Sequence, residues 1–296
     1  MFNAEKLCLD FNIESAPRGN RHHRQGWKNI SCPHCAGSFG YYLGINLKFG
    51  YSSCYRCGYH WLPKTIAAVA RVPINQAIQL IARYSTGEIQ QEYQEKINRK
   101  SKLDLPIEFE RPSSIHWDYL SSRNFKPMVA RMNKLLGTRM RGAYAMRIIA
   151  PIYLDGMLVS YQGRDVTGRQ SLRYKACEAE NEVWPHQETL YGIDDCKKDT
   201  VLIVEGITDR WRLGENTVAT FGIEWSPAQA RMIANRFKKF FIIFDDEEQA
   251  QEKALSLYHY LTARNLDGEI VTLNTGGDPG ELTDKAAKEL KGDLGI

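Results

Sequence analysis

Four cysteines and six acids carry most of the chemistry that can be read from this sequence. Cys32-Pro-His-Cys35 and Cys54-Tyr-Arg-Cys57 are two CxxC pairs separated by eighteen residues. Each CxxC turn presents two thiolates to one side, and two such pairs at this spacing can share one tetrahedral zinc ion. Four protein ligands leave no open coordination position, so the ion is structural. His34 and His60 lie close by, but the four cysteines already complete the shell, and both histidines read as surface or partner contacts. The acids fall where short apolar runs end. Glu205 follows Val201 to Val204, with Asp209 one helical turn later; Asp245, Asp246 and Glu247 follow Phe240 to Phe244; Asp278 closes the turn after Glu269 to Leu273. Carboxylates converging on one edge repel one another at neutral pH unless divalent cations neutralise them, and magnesium is the usual ion for phosphoryl chemistry.

The elements that must position these groups follow from the apolar pattern. Val201–Val204, Thr217–Phe221, Phe240–Phe244 and Glu269–Leu273 read as strands, and helical segments lie between them. Ser226-Pro227 opens a helix in cap and first-turn positions, running to about Phe237. Glu247 to Arg264 is helical, with Ala254, Leu257, Tyr258 and Leu261 at core spacing. Strands alternating with helices predict a parallel sheet, whose ligands bind outside the carboxyl ends of its strands. Around the cysteines, Phe39 to Tyr51 alternates well enough for a hairpin, which makes a zinc ribbon. Pro63 to Tyr84 reads as two short helices with Pro73 in the first turn of the second.

The ribbon is rich in groups that suit single-stranded nucleic acid. Tyr41, Tyr42, Phe49, Tyr51, Tyr55, Tyr59 and Trp61 alternate with Lys48, Arg56 and His60, behind a basic segment with Arg18, Arg21, His22, His23, Arg24 and Lys28. Exposed aromatic rings stack on unpaired bases and cations hold phosphates, while part of the aromatic set must be core in so small a domain. Lys48, Arg56, His60 and Trp61 are the contact candidates. Residues 87–112 are polar, with Glu92, Glu95, Lys96, Arg99, Lys100 and Lys102, and read as a linker that is partly helical.

Composition sets outer limits. The chain has 296 residues, 39 Lys+Arg against 35 Asp+Glu and a formal net charge of +4. Its 43% hydrophobic and 25% charged residues are ordinary for a globular protein. Mean hydropathy is −0.44, and no apolar run reaches the roughly 18 residues that a membrane span needs. The acid-bearing start, Met1 to Glu14, does not read as a signal peptide. Seven unevenly spaced cysteines fit a reducing cytoplasm better than a disulfide framework.

The order of these motifs resembles a known family. Val204-Glu205-Gly-Ile-Thr-Asp209, then Phe244-Asp245-Asp246-Glu247, then Gly277-Asp278-Pro279, resembles the Toprim domain of DnaG-type primases, topoisomerases and some nucleases. Arg147 to Ile152, Val159 to Asp165, Arg173-Tyr-Lys175 and Leu190-Tyr-Gly192 follow the order of the basic subdomain of the DnaG-type primase polymerase core. His116 to Lys126, with Tyr119, Leu120 and Arg123, is similar to the helix that opens that core. The resemblance covers nearly the whole chain outside the linker and points to a primase in a phage or plasmid form. It implies four regions: a zinc-binding domain over 1–86, a linker over 87–112, the basic α+β subdomain over 113–198 and the Toprim α/β parallel-sheet domain over 199–296.

By that resemblance Glu205 is the catalytic acid that organises the metal and assists deprotonation of the attacking 3′-hydroxyl. Asp245, Glu247 and Asp278 hold magnesium, with Asp246 beside them and Asp209 in support; manganese can substitute. Arg164, Arg173 and Lys175 grip template or nucleotide phosphates. The implied reaction is synthesis of short RNA primers from ribonucleoside triphosphates on a single-stranded DNA template during replication, in the cytoplasm (the host's, if phage-encoded), with a replicative helicase as a partner in trans and no membrane. Two departures stand out. The family's Asp-x-Asp-x-x-Gly becomes Asp245-Asp246-Glu247 followed by Glu248, Gln249 and Ala250, and its second acid after the proline is Gly280, with Glu281 next. Two other readings use the same residues: a metal-dependent Toprim nuclease, and a non-catalytic single-stranded-DNA-binding replication accessory protein.

Overall fold

The computed structural model describes residues 1–17, 19–35, 40–97, 103–106, 108–273 and 278–296, with the side chains of 95–97 left aside. Among the residues singled out above, Arg18, Phe39, Arg99, Lys100, Lys102 and the turn 274–277 lie outside the described residues, as do the side chains of Glu95 and Lys96. The chain forms two compact units, Met1–Ser101 and Lys102–Ile296. No single described helix is long and apolar enough to cross a membrane.

The first unit opens with α1 (Ala4–Asp10), capped by the Asn3 side chain, which accepts from the Lys6 N–H at 3.0 Å. A four-stranded antiparallel meander follows: β1 (Trp27–Ile30), β2 (Leu43–Asn46), β3 (Ser52–Cys54) and β4 (Gly58–His60). The expected hairpin therefore turns later than predicted, and its return strand begins at Ser52. Gly44 has a steric reason: a Cβ there would stand 2.9 Å from the Trp27 ring. Then come α2 (Leu62–Ala70), α3 (Ile74–Arg83) and α4 (Glu88–Ile97). Ile30, Leu43, Ile45, Leu62, Ile66 and Ile81 are almost wholly buried. Residues 88–97, expected as the start of a linker, form α4 against α3, with Ile89 and Tyr93 buried. Apolar side chains four apart on one helical face explain why this polar stretch folds back.

The second unit contains β5 (Phe109–Glu110), α5 (Ser114–Ser122), α6 (Pro127–Met132), β6 (Leu136–Thr138), β7 (Arg147–Leu154), β8 (Met157–Asp165) and β9 (Tyr174–Ala176). These five strands make one antiparallel sheet in sequence order. β10 (Thr200–Val204), α7 (Ile207–Leu213), β11 (Thr217–Ala219), α8 (Pro227–Arg236), β12 (Lys239–Ile243), α9 (Glu248–Thr262), β13 (Asp267–Ile270) and α10 (Asp284–Asp293) complete it. The last four strands form a parallel sheet in the order β11-β10-β12-β13. Val201 to Val204 and Phe240 to Ile243 are at most 1% exposed, as continuous apolar runs in the middle of a parallel sheet should be. The second strand is shorter than expected, ending at Ala219, because Phe221 turns into the left-handed region at φ +69°. The two subdomains expected over 113–198 and 199–296 lie in one compact unit, each with its own sheet.

The strand order matters for function. From β10 the chain goes to β11 on one side, then crosses to β12 on the other. The order thus reverses between β10 and β12, and the crevice beyond their carboxyl ends is where open α/β sheets bind ligands. Glu205 directly follows β10, and Asp245 lies two residues past the end of β12.

Candidate functional site

At this switch point Glu205, Asp209, Asp245 and Asp278 line one cleft with Arg173, Tyr174, Gln162, Thr208 and Phe221. The carboxylates of Glu205, Asp209 and Asp278 each accept a backbone N–H that the local fold supplies. Glu205 Oε1 accepts the Asp245 N–H at 2.8 Å, which ties the ends of β10 and β12 together. Asp209 Oδ2 accepts the Gly206 N–H at 2.8 Å at the start of α7. Asp278 Oδ1 accepts the Gly280 N–H at 2.6 Å. Gln251, one turn into α9, donates to the Asp245 carbonyl at 2.9 Å and fixes that strand end from the other side.

Crowding and burial raise the proton affinity of this group. Burial pushes the Glu205 carboxyl up to about 7; the Asp245 N–H works against the shift, and the charges of Asp245, Glu247 and Asp278 add to it. Asp245 also rises, first through burial and then through Asp278 and Glu247, while Arg173 pulls it down. Asp209 is lifted well above the usual carboxylate range by burial and by its hydrogen bond to the Asp278 carboxyl. Glu205, Asp209, Asp245 and Asp278 set hard oxygen donors along one cleft, and their mutual repulsion would fall with a divalent cation among them.

The expected residues do not all meet here. Asp246 and Glu247 are exposed beside the cleft rather than in its lining; Glu247 acts on Glu205 and Asp245 through its charge. Of the three expected phosphate-gripping cations, only Arg173 lines the cleft. Arg164 pairs with Tyr174 across β8 and β9 and is 6% exposed, its guanidinium 4.7 Å from the Tyr174 ring and 5.7 Å from the Tyr119 ring. Burial behind Tyr174 sets it back from the cleft surface. Lys175, the next residue in β9, projects to the opposite face. There it donates to the Ala143 carbonyl at 3.0 Å over the Tyr144 ring. Gln162, Thr208 and Phe221 were not singled out from sequence. Gln162 shares a β8 face with Arg164 by strand alternation, whereas Phe221 carried no signal beyond the adjacent Gly222. The Tyr174 hydroxyl lies 3.1 Å from Thr208 Oγ1, which joins β9 to α7 at the cleft wall.

In the first unit the Sγ atoms of Cys32, Cys35, Cys54 and Cys57 all lie within 4.8 Å of one another. Tetrahedral zinc–thiolate geometry needs S···S edges of about 3.8 Å. Cys32–Cys57 at 3.6 Å and Cys35–Cys54 at 3.7 Å match it, and Cys35–Cys57 at 2.9 Å is tighter. The donor set therefore fits zinc. His60 Nε2 stands 3.0 Å from Cys57 Sγ and stacks on His34 at 4.0 Å between centroids. His34 in turn meets Thr65 Oγ1 at 3.2 Å. Both histidines thus pack around the cluster from outside its four sulfurs. Trp61 is 3% exposed, so this expected nucleic-acid contact is a core residue. It directly precedes α2 and is buried with Leu62 and Ile66. Arg56 and Lys48 are exposed, Arg56 4.2 Å over the Tyr42 ring and Lys48 5.0 Å over the Phe49 ring. Phe49 and Tyr55 are the exposed large aromatics of the ribbon.

No family model matches the chain. It is similar in sequence to curated DNA primases. It is 26% identical to that of Clostridium acetobutylicum over 171 residues, which cover 55% of this chain and 28% of the relative. It is 25% identical to that of Aquifex aeolicus over 159 residues, covering 50% and 32%. The matched region thus spans about a third of those relatives' length. Among solved structures, the zinc-binding and RNA polymerase domains of the Aquifex aeolicus primase align over 99% of this chain and 82% of that one, with a TM-score of 0.52 at 18% identity. A DnaG primase catalytic domain bound to single-stranded DNA aligns over 70% and 77%, with a TM-score of 0.54 at 15% identity. The chain has the fold of the zinc-binding and RNA polymerase domains of DnaG-type primases.

Proposed function

We propose that this chain synthesises short RNA primers on single-stranded DNA by magnesium-dependent nucleotidyl transfer. The observation that carries the reading is the convergence of Glu205, Asp209, Asp245 and Asp278 on one cleft at the switch point of the parallel sheet. Similarity to DNA primases supports the same activity. Glu205 and Asp245 would hold the divalent ion, with Asp209 and Asp278 farther along the cleft and Asp246 and Glu247 outside its lining. The bound ion supplies positive charge to the reacting phosphate and lowers the pKa of the attacking hydroxyl.

The chain's own groups do the rest. Arg173 at the rim binds nucleotide phosphate. Arg164, packed on Tyr174, keeps that ring against the cleft wall. The 3′-hydroxyl oxygen of one nucleotide forms a bond to the α-phosphorus of the next, the α–β bridging bond breaks, and pyrophosphate leaves. Glu205, anchored at Oε1 by the Asp245 N–H, presents its other oxygen to the divalent ion, and the hydroxyl proton leaves to solvent. The ribbon holds the template strand through Lys48, Arg56, Phe49 and Tyr55. A replicative helicase acts in trans, in the cytoplasm.

Single-stranded templates of varied sequence, labelled ribonucleotides and magnesium test this directly. Wild type makes short RNA and Glu205→Gln does not. Template cleavage without nucleotides points instead to a nuclease, and template binding with no incorporation in any metal points to an accessory protein.

A further inference from the structure

Arg123 caps the C-terminal end of α5. Its backbone is bolted to the helix that carries Asp209. Arg212 of α7 donates to the Arg123 carbonyl at 2.6 Å and to the Asn124 carbonyl at 3.3 Å, and its guanidinium also pairs with Asp284 at 2.7 Å. That anchoring delivers the Arg123 guanidinium to the acid cluster. Nη2 lies 3.7 Å from Asp278 Oδ2 and 4.0 Å from Glu281 Oε1; it is buried and makes no hydrogen bond.

Gly280 makes room for this arrangement. A Cβ there would stand 2.8 Å from Asp209 Oδ1, 3.0 Å from Asp278 Oδ1 and 3.5 Å from Arg123 Nη2. An acidic side chain at 280 would collide with Asp278 Oδ1, which accepts the Gly280 N–H, and with Asp209 Oδ1, whose carboxylate is held through Oδ2 by the Gly206 N–H. The cleft is thus divided by charge. Its Asp209–Asp278 end already has a guanidinium and backbone donors. Its Glu205–Asp245 end has the Asp245 N–H on Glu205 and is flanked by Asp246 and Glu247, and the cation that acts on Asp245 there is the exposed Arg173.

We propose that Arg123 is a built-in cation at the Asp209–Asp278 end of the cleft, so that the site takes a single divalent ion, at its Glu205–Asp245 end. A second dication between Asp209 and Asp278 would stand beside the guanidinium and be repelled by it. The inference rests on the acid cluster being a metal site, as proposed above.

Manganese titration of the zinc-loaded full chain, read by electron paramagnetic resonance of the free ion and by calorimetry, tests it without any activity measurement. Wild type binds one manganese ion per chain in the cleft, and Glu205→Gln weakens it at least tenfold. Arg123→Gln takes up a second ion, while Arg123→Lys remains at one. Two ions in wild type overturn the inference and leave the metal-site reading standing. So does an Arg123→Gln chain that melts like wild type and still binds one ion. No manganese binding by wild type overturns both. Should Arg123→Gln fail to fold, the wild-type stoichiometry alone decides.

Discussion

The cysteine ribbon and the acid cleft are both built to suit a metal, in opposite ways. In the ribbon, four soft sulfur donors within 4.8 Å of one another close the shell, on a meander whose strands are three or four residues long. In the cleft, hard oxygen donors stand on the rim of a sheet whose central strands β10 and β12 are buried by apolar packing independently of any ion. The first site holds a fold together. The second is held by a fold, and its acids are left repelling one another until a cation arrives. On the function proposed above, metal would contribute to stability in the first unit and to chemistry in the second.

The largest expected effect separates the two. Stripping zinc removes a folding contribution on the order of 10–16 kcal/mol, as in small structural zinc domains. Amides of β1 to β4 should then exchange rapidly while those of β10 and β12 stay protected. Retained protection in the ribbon after complete zinc removal would break the comparison. Next, Glu205→Gln should lower primer synthesis at least ~10³-fold, about 4 kcal/mol in the barrier, with no loss in melting temperature. A variant within tenfold of wild type removes Glu205 from the chemistry.

A smaller effect comes from pH. The Glu205 carboxyl has a raised proton affinity in the fold, so its contribution to stability is complete below the ordinary carboxylate range and is lost as pH rises through about 7. Magnesium-free wild type should lose a few degrees of melting temperature between pH 5 and pH 8 relative to Glu205→Gln, and magnesium should restore them at pH 8. Parallel pH profiles for the two proteins would contradict this. The smallest effect belongs to the ribbon surface. Arg56→Ala should weaken single-stranded DNA binding a few-fold and reduce the salt slope by about 0.7, the share of one phosphate contact. An unchanged slope would exclude Arg56 from the backbone path.

The same contrast explains what the sequence made readable. The cysteine pairs were legible because spacing and residue type alone define the site. β10 and β12 were legible because they are continuous apolar runs, and Glu205 and Asp245 because they follow those runs; β13 is not apolar, and it spans Asp267–Ile270 rather than the expected Glu269–Leu273. What failed was burial and tertiary approach. Trp61 sits among basic and aromatic residues in sequence, yet it packs inward with Leu62 and Ile66. Ile89 and Tyr93 sit four apart, the helical spacing that lets α4 pack, but the charges around them suggested a linker. Arg164 and Lys175 reach different places because β8 pairs with β9 in a register that fixes their faces, and nothing local reveals that register. Arg123 approaches Asp278 with its carbonyl held by Arg212, 89 residues away.

Crystals soaked with manganese and a non-hydrolysable ribonucleoside triphosphate test the central claim most directly. The account predicts anomalous density bonded to the Glu205 and Asp245 carboxylates, with the triphosphate on its other side and Arg173 against a phosphate oxygen. A nucleotide bound elsewhere, with no manganese at the ends of β10 and β12, would contradict it.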